Sequence, residues 1–147
     1  MAKPYYQAPF DFKRFFEKKE LRKLSVRDSI SQFISVIITT YFEEYTYDEE
    51  FGSEIWETDF DLLVNANVLK EQIKYSLTDQ IVRYEKRLTN IDLNVELMER
   101  LSNNSNKVRL KKYLLITITG TIIKTDEPFG FTGDYYLAPL SYKINTE

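Results

Sequence analysis

The sequence predicts an α+β fold in which two main helices pack on a small antiparallel sheet with a long hairpin and a C-terminal edge strand. Two observations predict it: apolar residues recur every three or four positions in two early segments, and they alternate with polar residues further along. A length of 147 residues suits one domain. We therefore divide the chain into an aromatic and basic N-terminal arm, residues 1–24, and a single α+β domain, residues 25–147.

The arm mixes aromatic and basic side chains without a sustained period, which predicts extended chain with one short helical piece. Six aromatic residues lie within its first 16 positions. Because exposed aromatic surface is unfavourable in water, we expect the arm to pack on the domain or on a partner.

The first main helix has recognisable ends. Ser25, followed three residues later by Asp28, resembles a capping box with Asp in place of the usual Glu or Gln. Apolar residues then recur at helical spacing, and we expect the helix to end near Thr40. Residues 43–61 are acidic and lack such a stripe, which predicts a loop or a short strand.

A second helix and two strands follow. Helical spacing of apolar residues predicts a helix that begins near Asn65 or Asn67 and runs to about Tyr84. The period then changes to alternation in residues 91–97 and again in residues 108–122, which predicts two half-buried strands.

The ends of these strands are marked by turn-forming residues. Residues 102–106 are all Ser or Asn and predict a hairpin loop. Beyond Thr125, a proline and two glycines precede the strand-like residues 135–137, which predicts a turn and a further edge strand. Two helices that cover one face of such an antiparallel sheet make the α+β class.

Composition excludes several kinds of chemistry. The chain has no cysteine and no histidine, which excludes disulfides, cysteine nucleophiles, imidazole catalysis and nearly every ordinary zinc, iron or copper site. Carboxylates of the acidic segment suit calcium or magnesium, but the twelve-residue EF-hand order of ligands with its central glycine is missing. The chain also lacks a Walker loop and a dinucleotide fingerprint. We therefore expect no cofactor, no metal and no small-molecule ligand.

The charges are segregated along the chain. Residues 1–27 carry eight basic and three acidic residues, whereas residues 28–69 carry ten acidic residues and no basic one. This segregation suits docking on protein surfaces of opposite sign, although a solvated face has the same pattern. The net charge of −3 argues against nucleic-acid binding.

Nothing in the hydropathy of the chain indicates a membrane or an export signal. The longest apolar stretch falls well short of the roughly 20 residues that span a bilayer. The first residues lack the apolar run of a secretory signal. We therefore expect a cytoplasmic protein without membrane insertion.

Without histidine or cysteine, a hydrolase would have to use a pair of carboxylates, one as acid and one ionised. The acidic segment at residues 43–61 supplies many candidates, but no pattern selects a pair. A solvated acidic face or a docking patch is the simpler interpretation.

Two short motifs lie at predicted element boundaries. Residues 85–88 read Glu-Lys-Arg-Leu where the second helix gives way to a strand. By pattern alone these charges are solvated, and Lys86 and Arg87 complement the negative end of the helix dipole. Phe51-Gly52 reads as a turn with an apolar anchor, and Trp56 reads as a core or rim aromatic.

In their order along the chain, these features resemble the baseplate wedge family of contractile injection machines, whose type VI secretion member is called TssE. The family's Glu-Pro-Arg-Leu signature corresponds to residues 85–88, with Lys86 in place of the usual proline. Its Phe-Gly pair corresponds to Phe51 and Gly52. Lysine at position 86 removes a fixed φ angle and restores an N–H donor, which affects the rigidity of this junction.

The resemblance implies a structural protein that is not an enzyme. It implies binding to the core bundle of the other baseplate wedge subunits, and assembly of the contractile sheath protein on an exposed sheet edge. The residues to which we assign protein binding are Glu85, Lys86, Arg87, Leu88, Phe51, Gly52 and Trp56.

Two alternatives stay open. Family members have also been labelled lysozyme-like, which makes a carboxylate-based peptidoglycan hydrolase with Glu85 as the acid one alternative. A protein-binding adaptor unrelated to secretion is the other.

Overall fold

The computed structural model describes residues 5–57, 66–104, 107–137 and 140–144, with side chains described within residues 5–55, 67–101 and 111–136. The two main helices cover one face of a four-stranded antiparallel sheet, so the predicted α+β class is confirmed. The elements follow in the order β1 (Tyr5–Tyr6), α1 (Phe12–Phe16), β2 (Lys23–Leu24), α2 (Val26–Thr39), a 3₁₀ helix (Glu54–Glu57), α3 (Ala66–Tyr84), β3 (Leu88–Asn104), β4 (Lys107–Ile122), β5 (Glu127–Leu137) and β6 (Leu140–Ile144).

Both main helices form where the apolar spacing predicts them. At the start of α2 the Ser25 hydroxyl accepts a hydrogen bond from the Asp28 amide at 3.1 Å and donates one to the Asp28 carboxylate at 2.7 Å. This cap satisfies an amide that the first helical turn leaves without a partner. None of the described helices has both the length and the apolar character needed to cross a membrane.

The sheet has the strand order β3-β4-β5-β6, and every neighbouring pair is antiparallel. The hairpin of β3 and β4 is longer than predicted, because residues 102–104 belong to β3 and Asn104 pairs with Lys107. The predicted loop is therefore too long, and residues 105–106 lie outside the described part of the chain. Continued pairing between two extended strands overrides the preference of Ser and Asn for turns.

The C-terminal strands differ from the prediction by one element. The turn occupies residues 123–126, and the proline and glycines beyond it lie inside β5. Gly133 fits there because the Tyr135 ring covers it: a Cβ on Gly133 would lie 2.7 Å from that ring. An aromatic ring replaces the packing that a strand glycine lacks. Residues 135–137 thus end β5, and the edge strand is β6.

One face of the sheet and the two main helices enclose the core. Alternate residues of each strand point to this face, and the opposite face, which we call the outer face, points away from the helices. The core residues are buried and apolar: Ile30, Ile34 and Ile38 from α2; Leu69, Ile73, Leu77 and Ile81 from α3; and Leu93, Val95, Leu114, Ile116, Ile118, Ile122, Phe129, Phe131 and Tyr135 from the strands.

The arm forms a small hairpin of its own that contacts α2. Strands β1 and β2 pair with Tyr5 opposite Leu24, and the Ala8 amide donates a hydrogen bond to the Gln32 side chain of α2 at 3.2 Å. The short α1 agrees with the predicted helical piece. Because Phe12 and Phe16 are 64% and 77% exposed, part of the arm's aromatic surface lies in solvent.

Candidate functional site

Residues 85–88 form the junction between α3 and β3, as the sequence predicts. The Glu85 amide donates to the Ile81 carbonyl at 2.8 Å, which closes the last turn of α3. Leu88 opens β3 opposite Ile122, and both side chains are buried in the core. The junction therefore begins in a helical hydrogen bond and ends in the sheet.

The Glu85 carboxylate and the Arg87 guanidinium form a two-point ion pair inside the junction. Arg87 Nε donates to Glu85 Oε1 at 2.8 Å, and Arg87 Nη2 donates to Oε2 at 2.7 Å. The Arg87 amide also donates to Oε1 at 3.0 Å. Since Glu85 is only 2% exposed, its charge depends on these partners for compensation.

Arg87 ties two other parts of the chain to this junction. Its Nη1 donates to the Ser29 hydroxyl of α2 at 2.9 Å, and its Cζ lies 5.0 Å from the centroid of the Tyr5 ring in β1. The hydrogen bonds to Glu85 raise the pKa of Arg87, although partial burial acts in the opposite direction. The charged guanidinium thus joins α2, the arm and the end of α3.

The junction residues divide into buried and accessible ones. Glu85 and Leu88 are buried, whereas Lys86 is exposed and Arg87 is partly exposed. The Lys86 Nζ donates to the Val82 carbonyl at 3.3 Å, where a cation complements the helix C-terminus. The internal ion pair provides a restraint on this junction that does not require the family's proline.

The second motif, Phe51-Gly52, contacts the same end of α3. The Gly52 amide donates to the Gln80 side-chain oxygen at 3.2 Å, and the Gln80 side-chain amide donates to the Glu50 carbonyl at 2.9 Å. Gln80 is buried, so these backbone contacts satisfy its polar ends. Gly52 itself has φ of 137°, a conformation that side chains rarely adopt.

The Phe51 ring anchors this turn to both main helices. Its centroid lies 4.9 Å from the Tyr84 ring of α3, in an edge-to-face arrangement, and 6.1 Å from the Phe33 ring of α2. Edge-to-face ring pairs add about 0.5–1.5 kcal/mol beyond the area they bury. The Phe-Gly turn therefore contacts the last turns of α3, and residues 85–88 follow directly after them.

Two acidic residues next to the Phe-Gly turn are bonded to α3. The Glu50 carboxylate accepts from Arg83 Nη1 at 2.6 Å, and Asp48 Oδ2 accepts from the Tyr84 hydroxyl at 2.6 Å. These contacts assign part of the acidic segment to holding the loop on the helix. Among the described residues, no three acidic side chains gather closely enough to hold a metal ion.

We predict a pH-dependent contribution from Tyr84. Its hydrogen bond to Asp48, helped by burial, raises the pKa of the Tyr84 hydroxyl above the ordinary value of about 10. Because folding favours the protonated phenol, this stabilisation is complete below pH about 10 and is lost as the pH rises through the raised pKa.

The measurement is an alkaline titration followed by the ring carbon signals of isotope-labelled tyrosine. Asp48→Asn should move the Tyr84 midpoint down towards the ordinary value, and Glu49→Gln, at a neighbouring exposed acid, should leave it in place. An unchanged Tyr84 midpoint in Asp48→Asn would contradict the assignment.

Sequence reasoning missed the role of Gln80, Arg83 and Tyr84 in holding the Phe-Gly turn. Their spacing of three and four residues puts them on one helix face, which is the signal that was available. The turn that they hold, however, lies about 30 residues earlier in the chain. Trp56 is the remaining predicted site residue, and its side chain lies outside the described part of the structure.

These features define a small α+β domain in which both motifs are built into one helix end. The chain belongs to the baseplate wedge protein gp25 family, because the profile of the family described as "Baseplate wedge protein gp25" matches residues 24–127. The matched range includes both motifs and more than two thirds of the chain.

A solved structure from Geobacter sulfurreducens, described as a "putative tail lysozyme", has a similar fold. The TM-score is 0.57 and the sequence identity is 20%, over 80% of this chain and 96% of that one. At this identity the likeness supports the fold and transfers no activity. A comparison with curated protein sequences finds no match.

Proposed function

We propose that this chain is a structural, non-enzymatic component of the type VI secretion baseplate wedge, a TssE-like protein that acts in the cytoplasm. In this role it binds the core bundle of the other wedge subunits and begins assembly of the contractile sheath. The observation that carries the proposal is the family match over residues 24–127, which includes both motifs. The finer assignment to type VI secretion is our proposal and rests on the resemblance of residues 85–88 and the Phe-Gly pair to the family's motifs.

The proposed contact with the core bundle lies at the end of α3. Lys86 and the accessible part of Arg87 provide cationic hydrogen-bond donors, and Phe51 lies on the same helix end. In this proposal Glu85, Gly52 and Leu88 hold the surface in position, since all three are buried. Donors fixed in this way lose little conformational entropy when a partner binds.

The proposed contact with the sheath protein is the edge of the sheet. Within the described residues, β6 pairs with β5 on one side, and it reaches along β5 from Leu137 to Gly133. In the described part of the sheet, β6 is the outermost strand, and no strand lies on its other side. Such an edge offers unpaired backbone groups to an added strand.

The first test is co-purification from native cells with Lys86→Glu, which reverses an exposed charge without touching the buried ion pair. We expect roughly tenfold less recovery of the other wedge subunits, equivalent to about 1.4 kcal/mol of binding free energy. Lys124→Glu, at an exposed lysine of the turn at residues 123–126, is the matched control and should recover them normally. Equal recovery of the wedge subunits with both variants would contradict the proposed contact at Lys86.

A second variant tests the sheet edge separately. A chain ending after Leu137 lacks β6 and should lose sheath assembly in cells while it still co-purifies with wedge subunits. Circular dichroism of the purified variant tests whether the shortened chain folds. Normal sheath assembly with this folded variant would contradict the edge contact.

The alternative hydrolase is disfavoured by the environment of Glu85. A glycosidase acid must reach the leaving-group oxygen of a glycan and give it a proton. Here the carboxylate is buried, and Arg87 occupies both of its oxygens. Incubating the purified protein with peptidoglycan should release no soluble fragments; release that Glu85→Gln abolishes would favour the hydrolase instead.

A further inference from the structure

The outer face of the sheet carries two cations on two tyrosine rings, which we call the tyrosine–cation cluster. It consists of Arg100 of β3, Lys111 and Tyr113 of β4, and Tyr136 of β5. Tyr113 pairs with Tyr136 across the strands, and their ring centroids are 5.5 Å apart. The Arg100 Cζ lies 4.9 Å from the centroid of the Tyr113 ring, and the Lys111 Nζ lies 5.9 Å from that of Tyr136.

The two cations face each other across the hairpin. Arg100 and Lys111 are directly paired in the register of β3 and β4, so their side chains leave the same face. Like charges in this position are destabilising, and natural pairs are usually of opposite sign. This like-charged pair gives the outer face a local excess of positive charge, which attracts an anion.

Among the described side chains, one acid, on β5, forms an ion pair with one of these cations. Asp134, which is 4% exposed, lies 3.8 Å from Arg100 Nη2, and Arg100 Nη1 donates to the Tyr136 hydroxyl at 3.0 Å. Among the described side chains, Lys111 forms no ion pair. The Arg100 side chain is itself about half-exposed.

The surroundings of the cluster favour a peptide over a free ion. Met98, which is 37% exposed and pairs with Tyr113, and the partly exposed Tyr136 form an apolar surface next to the cations, while the Tyr113 ring itself is buried. An inorganic anion would leave Met98 and Tyr136 uncovered, whereas an acidic peptide segment brings a carboxylate to the cations and covers these two side chains. Tyr, Met and Arg are also the residue types enriched in protein interfaces.

We infer that the tyrosine–cation cluster is a binding site for a carboxylate side chain of an acidic segment of a partner protein. Arg100 supplies a planar pair of donors, and Lys111 supplies a point charge. The tyrosine rings form the border of the site. The inference rests on the outer face of the sheet and does not depend on the type of machine in which the protein works.

The test is fluorescence anisotropy with the full-length protein and a labelled hexaglutamate peptide as the probe, at low salt. We expect saturable binding that weakens about tenfold in Lys111→Gln. The matched control is Lys112→Gln: this exposed lysine is the next residue of β4, but it pairs with Glu99 on the opposite face. Binding of the peptide to Lys112→Gln should differ less than twofold from binding to the wild-type protein. Circular dichroism tests whether both variants fold.

Three results would overturn the inference. The first is no saturable binding of hexaglutamate to the wild-type protein. The second is equal weakening in Lys111→Gln and Lys112→Gln, which would indicate general charge attraction. The third is competition by inorganic phosphate at the same concentration as the peptide, which would indicate a site for a free anion. Arg100→Gln gives a further check, since it should weaken the binding of hexaglutamate as much as Lys111→Gln does.

Discussion

Replacing Gly52 by alanine is expected to lower the free energy of unfolding by about 3 kcal/mol. The position has φ of 137°, which is unfavourable for any residue with a side chain. An added Cβ would also lie 2.6 Å from the Thr40 carbonyl oxygen and 3.0 Å from the Tyr41 carbonyl carbon. Both are backbone atoms, so no rotation of a side chain relieves the contact.

The same backbone approach joins the Phe-Gly turn to the end of α2. The Ser53 amide donates to the Thr40 carbonyl at 2.8 Å, and Tyr41 and Ser53 form a parallel bridge. A Cβ at position 52 would push this bridge apart and pull Phe51 away from Tyr84. We therefore expect the loss to include the contacts of the whole turn, not only local strain.

Chemical denaturation of Gly52→Ala measures this effect, and Gly130→Ala is its matched control. Gly130 lies in β5, where an added Cβ would meet nothing within 4 Å, and its φ is not in the left-handed region. Alanine there should change stability by less than about 1 kcal/mol, because it mainly restricts the unfolded chain. If both variants lose the same stability, the close approach at Gly52 is not what requires glycine.

The spacing of apolar residues predicted those helices and strands whose formation depends on their own residues. The apolar stripe of α2 and its Ser25 cap, and the alternation within β4, are local patterns, and each element forms as expected. The extra length of the β3 hairpin and the position of β6 were missed. Those features depend on pairing between strands, which local turn preferences do not report.

The two motifs could be recognised in the sequence, but the contacts that hold them in the structure could not. The resemblance identified residues 85–88 and the Phe-Gly pair, and both lie at the end of α3. That Glu85 is buried could not be read from its neighbours, because the burial depends on α2 and on the arm, where Ser29 and Tyr5 contact Arg87. In the structure, the charges of Glu85 and Arg87 therefore serve mainly an ion pair inside the protein.

Replacing Arg87 by alanine is expected to cost about 3–5 kcal/mol of unfolding free energy. The change leaves the Glu85 carboxylate buried without its guanidinium, and an uncompensated buried charge is far more destabilising than the loss of a surface ion pair. It also removes the donor to Ser29 and the cation over Tyr5. Arg87→Lys keeps the charge but not the two-point geometry, and should fall between alanine and the wild type.

A double-mutant cycle with Glu85→Gln separates the ion pair from these other contacts. Glutamine keeps the shape of Glu85 but removes its charge, so the double variant Glu85→Gln/Arg87→Ala should recover part of the stability that Arg87→Ala loses. We expect a coupling energy of about 1–3 kcal/mol from denaturation of the four proteins. A coupling near zero would mean that the carboxylate and guanidinium act independently.

This result decides how assembly defects in this family member should be interpreted. If Arg87→Ala loses a large part of the stability of a domain that has only about 5–15 kcal/mol, a failure to assemble reports misfolding as readily as a lost contact. Lys86→Glu avoids this ambiguity, because its side chain is exposed and its neighbours keep their ion pair. An assembly defect in Lys86→Glu with unchanged stability, beside a stability defect in Arg87→Ala, would assign binding to Lys86 and support of the junction to the Glu85–Arg87 pair.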